Sequence, residues 1–199
     1  MSGTRTAQRS RATKETTIEV SLDLDGAGIT DVVTGLPFYD HMLDQLGRHG
    51  GFDLTVRADG DLEVDSHHTV EDTAIVIGEA LAEALGDKAG VRRFASGQYP
   101  LDEALVEVAL DLSGRPFFVW NVELPEAIPL GTPPFDPSLA EHALQSFATS
   151  AGITLHVTLK GGRNVHHIIE ATFKGVARCL RDAVRVDAGD AIPSTKGSL

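Results

Sequence analysis

Eight histidines stand in this chain, at positions 41, 49, 67, 68, 142, 156, 166 and 167, and four of them form two adjacent pairs. Each pair opens one pattern, His67-His68-Thr69-Val70-Glu71 and His166-His167-Ile168-Ile169-Glu170. On a helix, His67 and Glu71 are four residues apart and His68 and Glu71 three, spacings that gather side chains on one face. Two helical imidazoles and a carboxylate form a metal-ligating set, the chemistry that HExxH helices use for zinc. A lone histidine pair at a helix start is usually a solvated polar end, but its recurrence with the same glutamate argues for ligation. His41 and His142 add one imidazole to each pattern, giving six His and two Glu, enough for two metals with three His and one Glu each. No cysteine belongs to the set, so it suits manganese, iron, cobalt, nickel or zinc, and open coordination positions favour catalysis over a structural role. Adjacent helical residues diverge by about 100°, so His67 and His68 are expected to serve different metals.

A second, basic group is sparser. Arg92-Arg93, Arg115 and the tail Pro193-Ser194-Thr195-Lys196-Gly197 combine guanidinium, hydroxyl and ammonium donors suited to clamping a phosphate. Asp23-Leu24-Asp25-Gly26 superficially resembles an aspartyl-phosphatase loop, but it closes an alternating strand, and the second copy of that strand has Ser113 where Asp25 stands; a hairpin turn explains it better. His156 is expected to be a strand residue without a role, and Cys179, beside Leu180 in an apolar helix, an inert core thiol.

The elements that would position these residues come in two copies. Asp40–Leu46 (DHMLDQL) aligns with Glu141–Phe147 (EHALQSF), and Ser21–Gly26 (SLDLDG) with Ala109–Gly114 (ALDLSG). From His41 to His67 is 26 residues and from His142 to His166 is 24. Ile18, Val20, Leu22 and Leu24, and later Val106, Val108, Leu110 and Leu112, alternate with more polar residues as half-buried strands do. Phe52–Arg57 and Ile153–Leu159 form further strands, with return turns at Asp59-Gly60 and Gly161-Gly162. A short helix runs from near Pro37 to Gly50-Gly51, and another begins at a capping box, Ser138 with Glu141. Val70, Ala74, Ile77, Leu81 and Leu85, then Ile169, Phe173, Val176, Leu180 and Val184, mark two long amphipathic helices. The expected fold is α+β: an internally duplicated half-domain, each copy a mainly antiparallel four-stranded sheet with two helices on one face (split β-α-β type). The two long helices are expected side by side on a sheet. The expected division is a flexible N-terminal arm over 1–14, repeats over 15–90 and 91–190, and a substrate-binding tail over 191–199, with the Pro-rich stretch Pro125–Pro137 a loop.

The chain has 199 residues and a formal charge of −12, with 42% hydrophobic residues, which fits one compact domain and excludes a disordered chain. The acidic balance argues against a nucleic-acid binder, and no stretch is long and apolar enough for a membrane span. The basic start lacks the apolar core of a secretory signal, and a single cysteine excludes an internal disulfide framework.

In family order, FYDHML, HHTVEDTA, PLDEAL, DLSGRP, HHIIEATFK and PSTKG match motifs of the imidazoleglycerol-phosphate dehydratases, and the chain resembles that family from Arg11 to Gly197. Ala143 and Gln145, where bulkier residues and arginine are common, and the Pro-rich loop are its departures. The resemblance is to the monofunctional form, expected to be without the fused phosphatase half found in some relatives. The resemblance implies a cytoplasmic hydro-lyase of histidine biosynthesis that converts imidazole glycerol phosphate to imidazole acetol phosphate, with two Mn²⁺ per active site. It implies that the metals hold the ring as imidazolate, whose charge expels a hydroxyl that is not next to an acidic C–H. By the same resemblance the ligands are His41, His67, His68, Glu71, His142, His166, His167 and Glu170. Glu15, Gln45 and His49 match substrate contacts; Arg93, Arg115, Lys174, Ser194, Thr195 and Lys196 match the phosphate side. Glu15, Glu170 and Glu71 are the candidate catalytic carboxylates, Glu15 and Glu170 those for proton transfer. The resemblance further implies a homo-oligomer, a 24-subunit shell with active sites at subunit boundaries, and no nucleic-acid or membrane partner. The other readings open on the residues alone are a metal-assembled storage or shell protein and a metallohydrolase of a phosphorylated metabolite.

Overall fold

A computed structural model describes residues 5–125, 128–187 and 191–197. The first half runs β1 (Thr6–Ala12), β2 (Thr16–Asp23), β3 (Thr30–Val33), α1 (Pro37–Gly50), β4 (Asp53–Gly60) and α2 (His67–Leu85). The second repeats it as β5 (Phe94–Leu101), β6 (Ala104–Asp111), β7 (Phe117–Asn121), α3 (Leu139–Ala151), β8 (Thr154–Gly161) and α4 (Val165–Ala183). The sheets have the same order, β1-β2-β4-β3 and β5-β6-β8-β7. Three strands of each are antiparallel, while β3 and β7 run parallel to β4 and β8, so the sheets are mixed. The duplication and the α+β class are as expected.

The alternating strands bury one face as their pattern dictates: Ile18, Val20 and Leu22 in β2, and Val106, Val108 and Leu110 in β6, all point inward. Gly51 and Gly152, at φ 73° and 65°, stop α1 and α3 in the left-handed conformation that glycine adopts without a Cβ clash. Their amides bond back into the last turn.

Expectations about individual segments are corrected. The arm over 1–14 contains strand β1, paired with β2 along its length; only Ala7 of it is buried, so no alternation betrays it. Asp59-Gly60 and Gly161-Gly162, at the ends of β4 and β8, are not hairpin turns but lead into helices α2 and α4. The Asp23–Gly26 turn, where the Asp25 N–H donates to Asp23 Oδ1 at 2.9 Å, leads away to β3 rather than closing a hairpin. Ser138 stands at the start of α3 but caps nothing with its side chain, because its hydroxyl donates to Asp136 at 2.7 Å instead.

The helices cross between halves. α2 lies on β1 and β2 and packs against α3, whereas α4 lies on β5 and β6 and packs against α1. The long helices therefore sit on different sheets, each beside the short helix of the other half, and not side by side on one. Gly78 permits the α2–α3 approach, since a Cβ there would lie 2.6 Å from the Phe147 carbonyl oxygen. One continuous apolar core spans both halves. The described part of the Pro125–Pro137 stretch is more than a loop: fully buried Phe135 packs against Phe38 and Tyr39, with centroids 5.2 and 5.9 Å apart. No helix among the described residues is long and apolar enough to cross a membrane.

Candidate functional site

The crossed packing brings together side chains far apart in sequence. His41 of α1 meets His166 and Glu170 of α4, with Nε2 of each histidine 3.2 and 3.0 Å from Glu170 Oε2. His142 of α3 meets His67 and Glu71 of α2: its Nε2 is 3.1 Å from Glu71 Oε1, and the His67 and His142 ring centroids are 4.5 Å apart. Within each group one candidate ligand atom per residue lies within 4.8 Å of the others, a spread one cation could gather. Each group takes its lone histidine from the short helix of one half and its His-x3-Glu pair from the long helix of the other.

The His142 nitrogen is the sharpest test of fit. Nε2 is buried and makes no hydrogen bond, because its line to Glu71 is misdirected. A desolvated nitrogen without a partner is costly, and a cation between it, His67 and Glu71 would satisfy it. In the other group, burial alone would raise the Glu170 carboxyl, but hydrogen bonds from Lys174, His166 and His41 outweigh it and hold the pKa at about 2. The group is thus an anion that already gathers hydrogen-bonding partners, as a ligating carboxylate must.

His68 and His167 stand outside both groups. His68 Nδ1 bonds the Asp61 carboxylate at 3.1 Å, with Glu15 Oε2 3.8 Å away, and His167 Nδ1 bonds Glu103 Oε2 at 2.8 Å. Both imidazoles are held above the ordinary histidine pKa, chiefly by those bonds from Asp61 and Glu103. The helix starts that carry them are capped locally: Asp65 accepts the His67 N–H at 2.7 Å, and the Asn164 side chain accepts that of His167 at 3.3 Å.

Two of the expected substrate contacts extend the first group along α1. Gln45 Nε2 is 3.4 Å from His41 Nδ1, and Gln45 Oε1 is 3.1 Å from His49 Nε2. Burial and the neighbouring Lys174 and Arg178 keep His49 below the ordinary pKa, which favours its neutral form. Glu15 sits in the β1–β2 turn, where the Thr13 hydroxyl accepts its N–H at 3.1 Å and that of Thr16 at 3.0 Å. Asp72 of α2 braces this turn by accepting from Thr16 Oγ1 and, at 2.9 Å, from Arg11 Nε.

Arg93, Arg115, Ser194, Thr195 and Lys196 line one open cleft of about 540 Å³ together with Pro193. Lys174, expected among them, lies instead against Glu170 at 2.5 Å. Arg93, expected on the phosphate side, is already partly engaged within the chain. Its Nε and Nη2 donate to Asp111 at 2.6 and 3.0 Å, and its Nη1 donates to the Pro193 carbonyl at 2.6 Å. Three of five N–H donors are thus taken, and the residue fastens the tail while two donors remain for a ligand. His156 is an exposed residue of β8, and Cys179 is fully buried beside the Tyr99 hydroxyl at 3.2 Å, as expected of both.

Asp61, Asp72, Glu103 and Asp111 are the residues that sequence reasoning missed. Two had a signal in the repeat: Glu103 precedes β6 as Glu15 precedes β2, and Asp111 ends β6 as Asp23 ends β2. Asp61 and Asp72 face Gly162 and Ala171 in the other copy, so the alignment is silent about them.

Residues 34–180 match the family profile described as imidazoleglycerol-phosphate dehydratase. The chain is 59% identical over 197 residues to the imidazoleglycerol-phosphate dehydratase of Parafrankia sp. (strain EAN1pec), covering 98% of this chain and 99% of that one. It is 58% identical over 196 residues to that of Frankia casuarinae, with 98% and 99% covered. Among solved structures, the Staphylococcus aureus imidazoleglycerol-phosphate dehydratase superposes with a TM-score of 0.82 at 35% identity, covering 92% of this chain and 99% of that one. The Pyrococcus furiosus enzyme in complex with (S)-C348 superposes with a TM-score of 0.82 at 34% identity, covering 96% and 100%.

Proposed function

This chain belongs to the imidazoleglycerol-phosphate dehydratases, hydro-lyases of histidine biosynthesis, and from that premise we propose that it dehydrates imidazole glycerol phosphate to imidazole acetol phosphate at paired Mn²⁺ centres. The observation that supports this most is the pair of crossed His/His/Glu groups with its unsatisfied His142 Nε2. His41, His166 and Glu170 would hold one metal and His67, Glu71 and His142 the other. His68 and His167 would each complete a centre contributed by another subunit. When bound, the metals supply Lewis acidity that stabilises negative charge on the substrate ring.

The remaining work falls to the chain. Arg115, Ser194, Thr195 and Lys196, with the two unused donors of Arg93, bind the phosphate, so the 191–199 tail serves the substrate. Lys174 approaches a substrate held at its own chain's metal groups, from the Glu170 side. Gln45 and neutral His49 orient it through the line of hydrogen bonds from His41. Glu170 is tied down by Lys174 and two histidines, which suits ligation better than proton exchange, and Glu71 lies beside His67 and His142, where it would ligate the second metal. Glu15, half-exposed and bonded through its backbone alone, is the carboxylate free to move a proton.

Distance supports sites shared between subunits. The Arg93 N–H bonds the Ala183 carbonyl at the far end of α4 from Glu170. At 1.5 Å per residue the thirteen residues from 170 to 183 span about 20 Å, more than a three-carbon chain between ring and phosphate can bridge. The phosphate cleft and the metal groups of one chain then serve different active sites, and the assembly is a homo-oligomer, in this reading the 24-subunit shell, in the cytoplasm.

The test is to incubate purified protein with Mn²⁺ and imidazole glycerol phosphate and assay for the acetol product. Phosphate release without that product would refute the dehydratase in favour of a metallohydrolase, and tight metal uptake without turnover would favour a storage shell.

A further inference from the structure

The two histidines outside the metal groups are each gripped at the same ring atom by a carboxylate that no part of the reaction requires. We propose that Glu103 and Asp61 are positioning residues that fix His167 and His68 in the tautomer whose Nε2 lone pair is bare, ready to ligate a metal. The inference rests on the reading of these histidines as ligands.

The geometry around Glu103 is complete enough to dictate the tautomer. Its Oε1 accepts the backbone N–H groups of Asn164 and Arg163, at 2.8 and 3.2 Å, and its Oε2 faces His167 Nδ1 at 2.8 Å. An ionised carboxylate only accepts, so Nδ1 must carry the proton, and in a neutral imidazole Nε2 then has a free lone pair. On the other side of the ring, Asp102 Oδ2 lies 3.9 Å from Nε2, too far to hydrogen-bond. The His167 backbone is fastened too, through Asn164. His68 has the same arrangement with a different residue, both Asp61 oxygens lying 3.1 and 3.2 Å from Nδ1. A carboxylate behind a ligating histidine orients the ring and raises its basicity.

The repeat explains why two different carboxylates do one job. Glu103 and Glu15 occupy one position, the residue before the second strand of each half. In the second half that glutamate is locked onto the start of α4. In the first half Asp61 has taken over the histidine, its own N–H donating to the Glu15 carbonyl at 3.1 Å, and the Glu15 carboxylate is left half-exposed. One ancestral position thus positions a ligand in one half and is released toward substrate in the other.

Glu103→Gln separates positioning from a merely structural role. The two backbone donors keep the amide oxygen where Oε1 now sits, so the new NH₂ faces His167 Nδ1. That nitrogen can meet it only as an acceptor, which moves the ring proton to Nε2 and blocks the ligand atom. Wild type, Glu103→Gln, Glu103→Ala and His167→Ala are stripped of metal, and their melting temperatures and Mn²⁺ affinities are measured by calorimetry and equilibrium dialysis. Glu103→Gln is expected to melt like the metal-free wild type yet bind Mn²⁺ about 10–100-fold more weakly, approaching His167→Ala; Asp61→Ala is expected to lose affinity to a similar degree. Glu103→Ala is expected to lose both affinity and melting temperature. Wild-type Mn²⁺ affinity in Glu103→Gln overturns the inference while leaving the metal centres standing. Equal loss of melting temperature in the Gln and Ala variants also overturns it, in favour of a structural brace. A wild type that binds no Mn²⁺ removes the metal centres themselves.

Discussion

Replacing Arg93 by alanine separates two roles that one guanidinium performs. Its side chain and that of Asp111 are 12% and 18% exposed, so the pair lies between the surface and buried limits. Surface pairs contribute about 0–1 kcal/mol, and removing one partner of a buried pair costs about 3–5 kcal/mol. Arg93→Ala should therefore destabilise the fold by about 2 kcal/mol, mostly through the charge left on Asp111. The second loss is at the ligand. Two free N–H donors on a phosphate are one or two charge-assisted bonds, each worth about 1.5–3 kcal/mol, and losing one raises KM by about 10–150-fold. The Pro193 carbonyl is released as well, so Ser194 and Lys196 lose their anchor and the upper end of that range is expected. Arg93 lies at the opposite end of α4 from Glu170, so bound Mn²⁺ should stay at the wild-type level. Denaturant unfolding, steady-state kinetics and metal analysis read the three quantities independently. Adding Asp111→Ala should recover stability, since no unpaired charge remains, but not KM. Wild-type KM in Arg93→Ala would refute the clamp, and loss of metal would refute the separation of the two sites.

Two further outcomes follow from the site. Asp61 and Glu103 raise the pKa values of His68 and His167, so in the metal-free protein these pairs stabilise below pH 6.5 and are lost as pH rises through the raised values. Metal needs the neutral rings, so the Mn²⁺-induced rise in melting temperature should be full well above pH 6.5 and vanish as pH falls through about 6; a rise independent of pH between 5.5 and 7.5 would contradict this. EDTA should shrink the particle, and Mn²⁺ should restore both size and activity, as size-exclusion chromatography with light scattering reports. An unchanged mass after verified metal removal would mean that the sites lie within one chain or that protein contacts alone hold the shell.

What could be read from the sequence follows from what periodicity and repetition encode. β2, β6, α2 and α4 each bury one face, and their apolar spacing says so directly. β1 buries Ala7 alone, and its place is decided by pairing with β2, which leaves no mark on its own residues. The candidate ligands were visible because the duplication prints them twice. Their grouping was not, because it depends on α1 crossing to α4 and α2 to α3, a tertiary choice on which the heptad-like spacing within each helix is silent. The same holds for Lys174, which the resemblance placed with the phosphate residues although Glu170, one turn away, holds its ammonium.

The residues that differ between the halves point to where the chemistry must lie. The candidate metal-binding pattern is near-symmetric: His41 and His142, His67 and His166, and Glu71 and Glu170 are exchanged by the repeat. A symmetric cradle can hold a ring with two nitrogens, but it cannot decide which carbon loses a hydroxyl. That choice requires groups present on one side only. The substrate-side residues meet this condition: Gln45 and His49 have Ser146 and Ser150 as their counterparts, and Lys174 has Ile75. Glu15 has a glutamate opposite it, but Glu103 is immobilised on His167 and two backbone amides while Glu15 remains available. In the proposed reading, duplication supplies two equivalent metal positions, and divergence at a few residues beside them gives the site a direction.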